Sequence, residues 1–216
     1  MPDTPQQTIG FLPPFLFPPV GWCVQVVRNP ERMILLDTPF CKQTLLSRFC
    51  IKGANNPIVL TCPVVHNTRR NSVTEVHIDH RQPWNRLALK TLESAYRKAP
   101  YWEYYADDLI ELLQTPPEKL LELIVQSHGL LVTWLNLPSL HYRHQLWMQP
   151  EDASRWYFTK TELKGEPYRA LNPYQQTFHG FMPQVSYLDL VFNLGPRAVQ
   201  YLTREAETCY GTGESN

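Results

Sequence analysis

Arg32-Met33-Ile34-Leu35-Leu36-Asp37 is the stretch on which the fold turns. Its apolar residues run without alternation and end in an acid, the pattern of a strand covered on both faces, which belongs to a parallel sheet and not to a half-wet antiparallel one. Upstream, Thr8 to Leu12 reads as a short strand that enters a loop punctuated by proline, Pro13 to Pro19, and Val20 to Val27 is apolar enough for a buried turn or two of helix. Together these make a strand, crossover, strand unit. Downstream, Phe40 to Cys50 reads as a polar loop or irregular strand, and Pro57 to Val65 as another mostly apolar strand. In Val73 to Asp79, Thr74, Val76 and Ile78 fall on one face and Glu75, His77 and Asp79 on the other, which predicts an edge strand.

Beyond Trp84 the apolar period changes from two to about 3.6. Ala88, Leu92, Ala95 and Tyr96 lie on one helical face, with Pro83 suited to the first turn, and Trp102, Ala106, Leu109 and Leu113 form a second stripe. Thr115-Pro116-Pro117-Glu118 has the order of a capping box ahead of Leu120, Ile124, Leu131 and Leu135. Pro138 to Gly165 has no clean period. Ser186 to Asp189 repeats the capping order before Leu190 to Leu194, Gly195 closes that helix, and Arg197 to Ala206 is a last one. The predicted class is α/β: a mostly parallel central sheet in the N-terminal half, with a helical middle and C-terminal segment packed on it.

The chain has 216 residues, room for one sizeable core, so residues 1–205 are expected to form a single domain and 206–216 a frayed tail. Twenty basic residues balance twenty acidic ones, which leaves no global field to recruit nucleic acid or an anionic membrane. Five cysteines with no CxxC spacing fit reduced thiols. No run reaches the ~20 apolar residues of a membrane span. The N-terminus lacks a basic n-region, and Pro13, Pro14, Pro18 and Pro19 interrupt its apolar stretch, so a cytoplasmic location is expected.

His77, Asp79 and His80 lie close together, and His141 and His144 are spaced i, i+3, but neither set has the second pair that a zinc site needs. No metal is expected, and no cofactor is indicated. GxSxG, Walker, GxGxxG and HExxH motifs are absent from the sequence. Ser186 is explained by capping, and Cys41, beside Lys42, by an inert thiol. The segment after the buried strand is more informative, because ligands of parallel sheets sit beyond the carboxyl ends of strands. Asp37, Lys42, Gln43 and Arg48 would supply an acid, two cations and an amide there. Such a set could hold an anionic group while the acid orients or deprotonates an incoming one; a surface salt-bridge network is the alternative.

At these residues the chain resembles the WbqC-like protein family in its shorter form. The resemblance starts at Pro13-Pro14-Phe15-Leu16-Phe17-Pro18-Pro19 and continues through the strand ending at Asp37, Lys42-Gln43-Thr44 and Leu60-Thr61-Cys62-Pro63-Val64. It goes on through Trp84, Ser94-Ala95-Tyr96, Ala99-Pro100-Tyr101 and Glu103-Tyr104-Tyr105, and closes with Pro173 to Phe178 and Phe181 to Pro196. It implies a part in surface polysaccharide and O-antigen assembly, as a transferase of an acyl or aminoacyl group such as glycine to a sugar. The implied partners are a small-molecule substrate and a donor, a nucleotide sugar or an activated amino acid. On this reading Asp37, Lys42 and Arg48 carry catalysis, while Gln43, Tyr96, Tyr174, Gln175 and Asp189 build the substrate pocket. Two departures stand against it: Leu46-Ser47-Arg48 where relatives tend to show Arg-Asn-Arg, and Leu87-Ala88 where they tend to show His-Trp. They keep open a second class of function, a non-catalytic binding or scaffold protein.

Overall fold

A computed structural model describes residues 10–65, 72–144, 158–165 and 171–208. The run at residues 32–37 lies at the centre of a parallel sheet. Strand β1 (Phe11–Leu12) pairs with β2 (Met33–Leu35) in the register Phe11 to Met33, and β2 pairs on its other side with β5 (His141–Arg143), Leu35 facing Arg143. Ile34 and Leu35 are buried, as a doubly covered strand requires. Helix α1 (Val20–Arg28) makes the crossover between β1 and β2. The proline-rich loop before it belongs to the interior: Phe15, Leu16 and Phe17 are fully covered, and the Trp22 indole N–H donates to the Pro13 carbonyl at 3.0 Å.

The second sheet is an antiparallel hairpin of β3 (Arg48–Lys52) and β4 (Pro57–Thr61). Of the stretch Phe40 to Cys50, read as a polar loop or irregular strand, the last three residues enter β3 and those before it form turns. Phe49 and Ile51 alternate into the core, and the apolar run at residues 57–61 is half wet, with Val59 exposed and Leu60 buried. Gly53 makes the turn possible, because a Cβ there would lie 2.5 Å from the Asn56 carbonyl. The stretch Val73 to Asp79 keeps its alternation of burial, Val76 and Ile78 inside and His77 outside, but not the strand. Ser72 caps a 3₁₀ turn over Val73–Glu75, and only isolated bridges follow, Val64 with Ile78 and His77 with Lys119.

Helices α2 (Trp84–Tyr96) and α3 (Trp102–Gln114) bury the stripes their periodicity predicts. Helix α4 (Leu120–Leu135) follows, but its cap is Lys119 and no side chain caps it. Thr115 instead donates its hydroxyl to the Glu111 carbonyl at 3.5 Å, at the end of α3, so the Thr115 to Glu118 capping box does not form. A capping box does form where no period was legible: Thr159 and Glu162 bond reciprocally at the start of α5 (Lys160–Leu163). Helix α6 (Tyr187–Leu194) starts at Ser186 and ends at Gly195 as expected, and α7 (Arg197–Thr208) packs against α1. It runs to Thr208 with Ala206 buried, into residues expected to be tail. No helix among the described residues is long and apolar enough to cross a membrane.

Candidate functional site

The parallel pairing of β2 with β5 decides what lies at the carboxyl edge of the sheet. With Leu35 facing Arg143, the chain leaves both strands side by side, and the Leu36 N–H donates to the Arg143 carbonyl at 2.9 Å. The next side chains meet there: His144 Nδ1 lies 3.0 Å from Asp37 Oδ1. A carboxylate accepts only, so Nδ1 carries the proton, and in the neutral imidazole Nε2 then presents a lone pair. The Asp37 side chain is 20% exposed and that of His144 47%, so the acid is sheltered and the imidazole reaches solvent. This is the arrangement of an acid that orients a general base.

A second polar group forms where α6 meets β3. The Ser186 N–H donates to the Cys50 carbonyl at 2.7 Å, and the Ser186 hydroxyl accepts from Leu188 N–H, which fixes the helix start. Asp189, third in the helix, does not complete a capping box. It turns inward with no exposed surface and accepts from the Tyr96 hydroxyl at 2.8 Å, the Tyr174 hydroxyl at 2.7 Å and the Gln176 amide at 2.8 Å. Gln176 is itself held by the main chain of Met182, whose N–H donates to its Oε1 at 2.9 Å. On β3, Arg48, Cys50 and Lys52 share the face opposite to Phe49 and Ile51. Lys52 is only 3% exposed, and its ammonium donates to the carbonyls of Phe178, at 2.7 Å, and Gly180.

The electrostatics of this group follow from burial. Desolvation raises the Asp189 carboxyl above its ordinary range, opposed by the three hydrogen bonds and by the Lys52 charge. Desolvation lowers the Lys52 ammonium, opposed by Asp189. Burial, reinforced by Asp189, lifts Tyr96 and Tyr174 well above the usual phenol range and pushes the Cys50 thiol up to about 11. Cys50 is therefore a protonated thiol, unsuited to act as a nucleophile.

The predicted site residues thus fall into two groups, and among the described residues no hydrogen bond or ion pair joins them. Asp37 stands with His144, a residue that sequence reasoning treated only as half of an i, i+3 histidine pair. Lys42 and Gln43 are exposed on the turn that follows, Gln43 with φ +62°. Tyr96, Tyr174 and Asp189 are brought together, with Lys52 and Gln176 as members that were not singled out. Gln175 is exposed beside them. Arg48 lies on the β3 face of Cys50 and Lys52, its Nε buried without an acceptor among the described residues. With every approach filled, Asp189 has no surface to offer a substrate. The described cysteines, Cys23, Cys41, Cys50 and Cys62, are free thiols, and no group of three or more His, Cys, Asp or Glu among the described residues could hold a metal.

Of the two departures from the family pattern, Leu46 is fully buried core, whereas Leu87 is 66% exposed on a groove of about 550 Å³ that it shares with Val59 and Trp84. A sequence model of the WbqC-like protein family matches residues 13–159, more than half of the chain. The match takes in Asp37, Lys52, Tyr96 and His144 and ends before Tyr174 and Asp189. No curated protein and no solved structure matches.

Proposed function

The chain belongs to the WbqC-like protein family, and from that premise we propose that it is a cytoplasmic transferase of cell-surface polysaccharide assembly. In this reading it moves an acyl or aminoacyl group such as glycine from an activated donor to a sugar hydroxyl. The observation that carries it is the Asp37 to His144 hydrogen bond at the carboxyl edge of a parallel sheet. His144 Nε2 takes the proton of the sugar hydroxyl as its oxygen attacks the acyl carbonyl; the bond from carbonyl to leaving group then breaks, and the imidazolium returns the proton to the leaving group. Asp37 holds the imidazole in the tautomer this requires and stabilises its cationic form. Lys42 and Gln43, exposed on the following turn, are proposed to meet the anionic part of the donor, and Arg48 to assist through its guanidinium, whose Nε has no acceptor among the described residues. Tyr96, Tyr174 and Asp189 are assigned to holding the wall formed by residues 174–182, and Gln175 to its exposed rim.

The test is to incubate the chain with sugars and three donor classes, nucleotide sugars, aminoacyl donors and CoA thioesters, and to follow sugar mass and melting temperature together. The expected result is an acylated sugar with one donor class, which also raises the melting temperature, since a ligand of the native state stabilises it. No product and no shift with any class would reject the enzyme. A binding-only protein is favoured by Leu87, an exposed apolar residue on an apolar groove; its signature would be a stable partner in pull-down with no transfer.

A further inference from the structure

Outside both polar groups, cations gather along one side of α2 and just past its end. Lys90 and Ser94 lie on the helix, and Arg97, its C-cap, and Lys98, in the turn that follows, continue the line away from the buried stripe of Ala88, Leu92, Ala95 and Tyr96. They line a hollow of about 440 Å³ whose other wall includes Thr177 and Phe178. Three cations face a single carboxylate, Glu93, and none of the three has an acid within ion-pair distance among the described residues. In a chain of zero net charge this is a local excess. A second hollow of about 370 Å³ continues from it past Lys90, Ser94 and Phe178 to Gly53.

The wall opposite the cations is fixed. The Phe178 carbonyl accepts from the buried Lys52 ammonium, and the Thr177 hydroxyl donates at 3.0 Å to Asn193, whose amide is anchored to the Asp189 carbonyl at 2.7 Å. Cations at the end of a helix also complement its dipole, which accounts for Arg97 and Lys98. It does not account for Lys90, nearly two turns earlier, or for a hollow with a braced far wall.

We propose that this hollow binds the phosphate or diphosphate group of a small molecule, held by Lys90, Arg97 and Lys98 through charge-assisted hydrogen bonds, with the second hollow receiving the rest of the ligand. The inference is independent of the roles assigned to Asp37 and His144. The test is calorimetric titration of the full chain with inorganic pyrophosphate and, in parallel, uridine diphosphate. Saturable one-site binding is expected, weaker at higher salt and weakened about tenfold or more by the double variant Lys90→Ala/Arg97→Ala, the loss of at least one charge-assisted contact. Arg86→Ala, at an exposed α2 position that does not line the hollow, is expected to bind as the wild type does. Tighter binding of the nucleotide would support the proposal with a nucleoside in the second hollow, and equal binding would support it with the diphosphate alone recognised. No saturable binding of either probe by the folded wild type, or equal losses in Arg86→Ala and the double variant, would overturn it.

Discussion

Asp189→Ala separates two accounts of one residue. If Asp189 were only the third residue of a helix cap, its loss would cost about 0.5–2 kcal/mol. The structure gives a larger figure. The carboxylate has no exposed surface and three donors at 2.7–2.8 Å, from Tyr96, Tyr174 and Gln176. Each buried donor left unpaired costs about 1–3 kcal/mol, although a water entering the space would recover part of this. Gln176 keeps two other acceptors, the Tyr174 hydroxyl and the Met182 carbonyl, so the two tyrosine hydroxyls carry most of the loss. The expected total is therefore about 4 kcal/mol, or roughly 8–16 °C in melting temperature for a chain of this size. Urea denaturation followed by circular dichroism reads it directly, with Ser186→Ala, a true cap worth ~1 kcal/mol, as the internal standard. A cost for Asp189→Ala no greater than that of Ser186→Ala would refute the reasoning.

Two further outcomes follow from buried groups. His128 is fully covered, its Nε2 donating to the Phe15 carbonyl at 2.8 Å and Nδ1 facing the Tyr142 hydroxyl, and burial lowers it from 6.5 to about 4. The unfolded chain then binds the proton first, so stability is lost as pH falls from about 6.5 towards 4, with about 2 kcal/mol gone by pH 5; a urea midpoint unchanged between pH 7 and pH 5 would contradict this. Gly195→Ala places a Cβ against the Tyr101 ring at φ +53°, ψ −129°, a region open to little but glycine, and should cost about 2–4 kcal/mol. A melting temperature within a degree of wild type would show that this turn relaxes freely.

The strand at residues 32–37 was legible because a doubly buried strand needs no alternation, and the stripes of α2 and α3 because each buries one face. What escaped reading had no local signal. Strand β5 has three residues, two of them exposed, and is defined by main-chain pairing with β2 more than a hundred positions earlier. Without that pairing, nothing placed His144 beside Asp37. Lys52 looks like a surface lysine before a turn and is buried only because the carbonyls of Phe178 and Gly180 close over it. Gln175 and Gln176 are adjacent amides that point opposite ways, so composition identified the segment and not the residue. Thr115 had the right neighbours for a cap, but a threonine between two helices can close the first as readily as it opens the second, and here it closes α3.

The account turns on the imidazole of His144, held by Asp37 through Nδ1 and about half exposed. The most direct measurement is the rate of transfer to the sugar by wild type, His144→Gln and Asp37→Asn, each shown to be folded by its melting temperature. The account predicts a fall of about 10²–10⁴-fold for His144→Gln and a substantial fall for Asp37→Asn, with little change in melting temperature for either. A His144→Gln protein that transfers at the wild-type rate would contradict it.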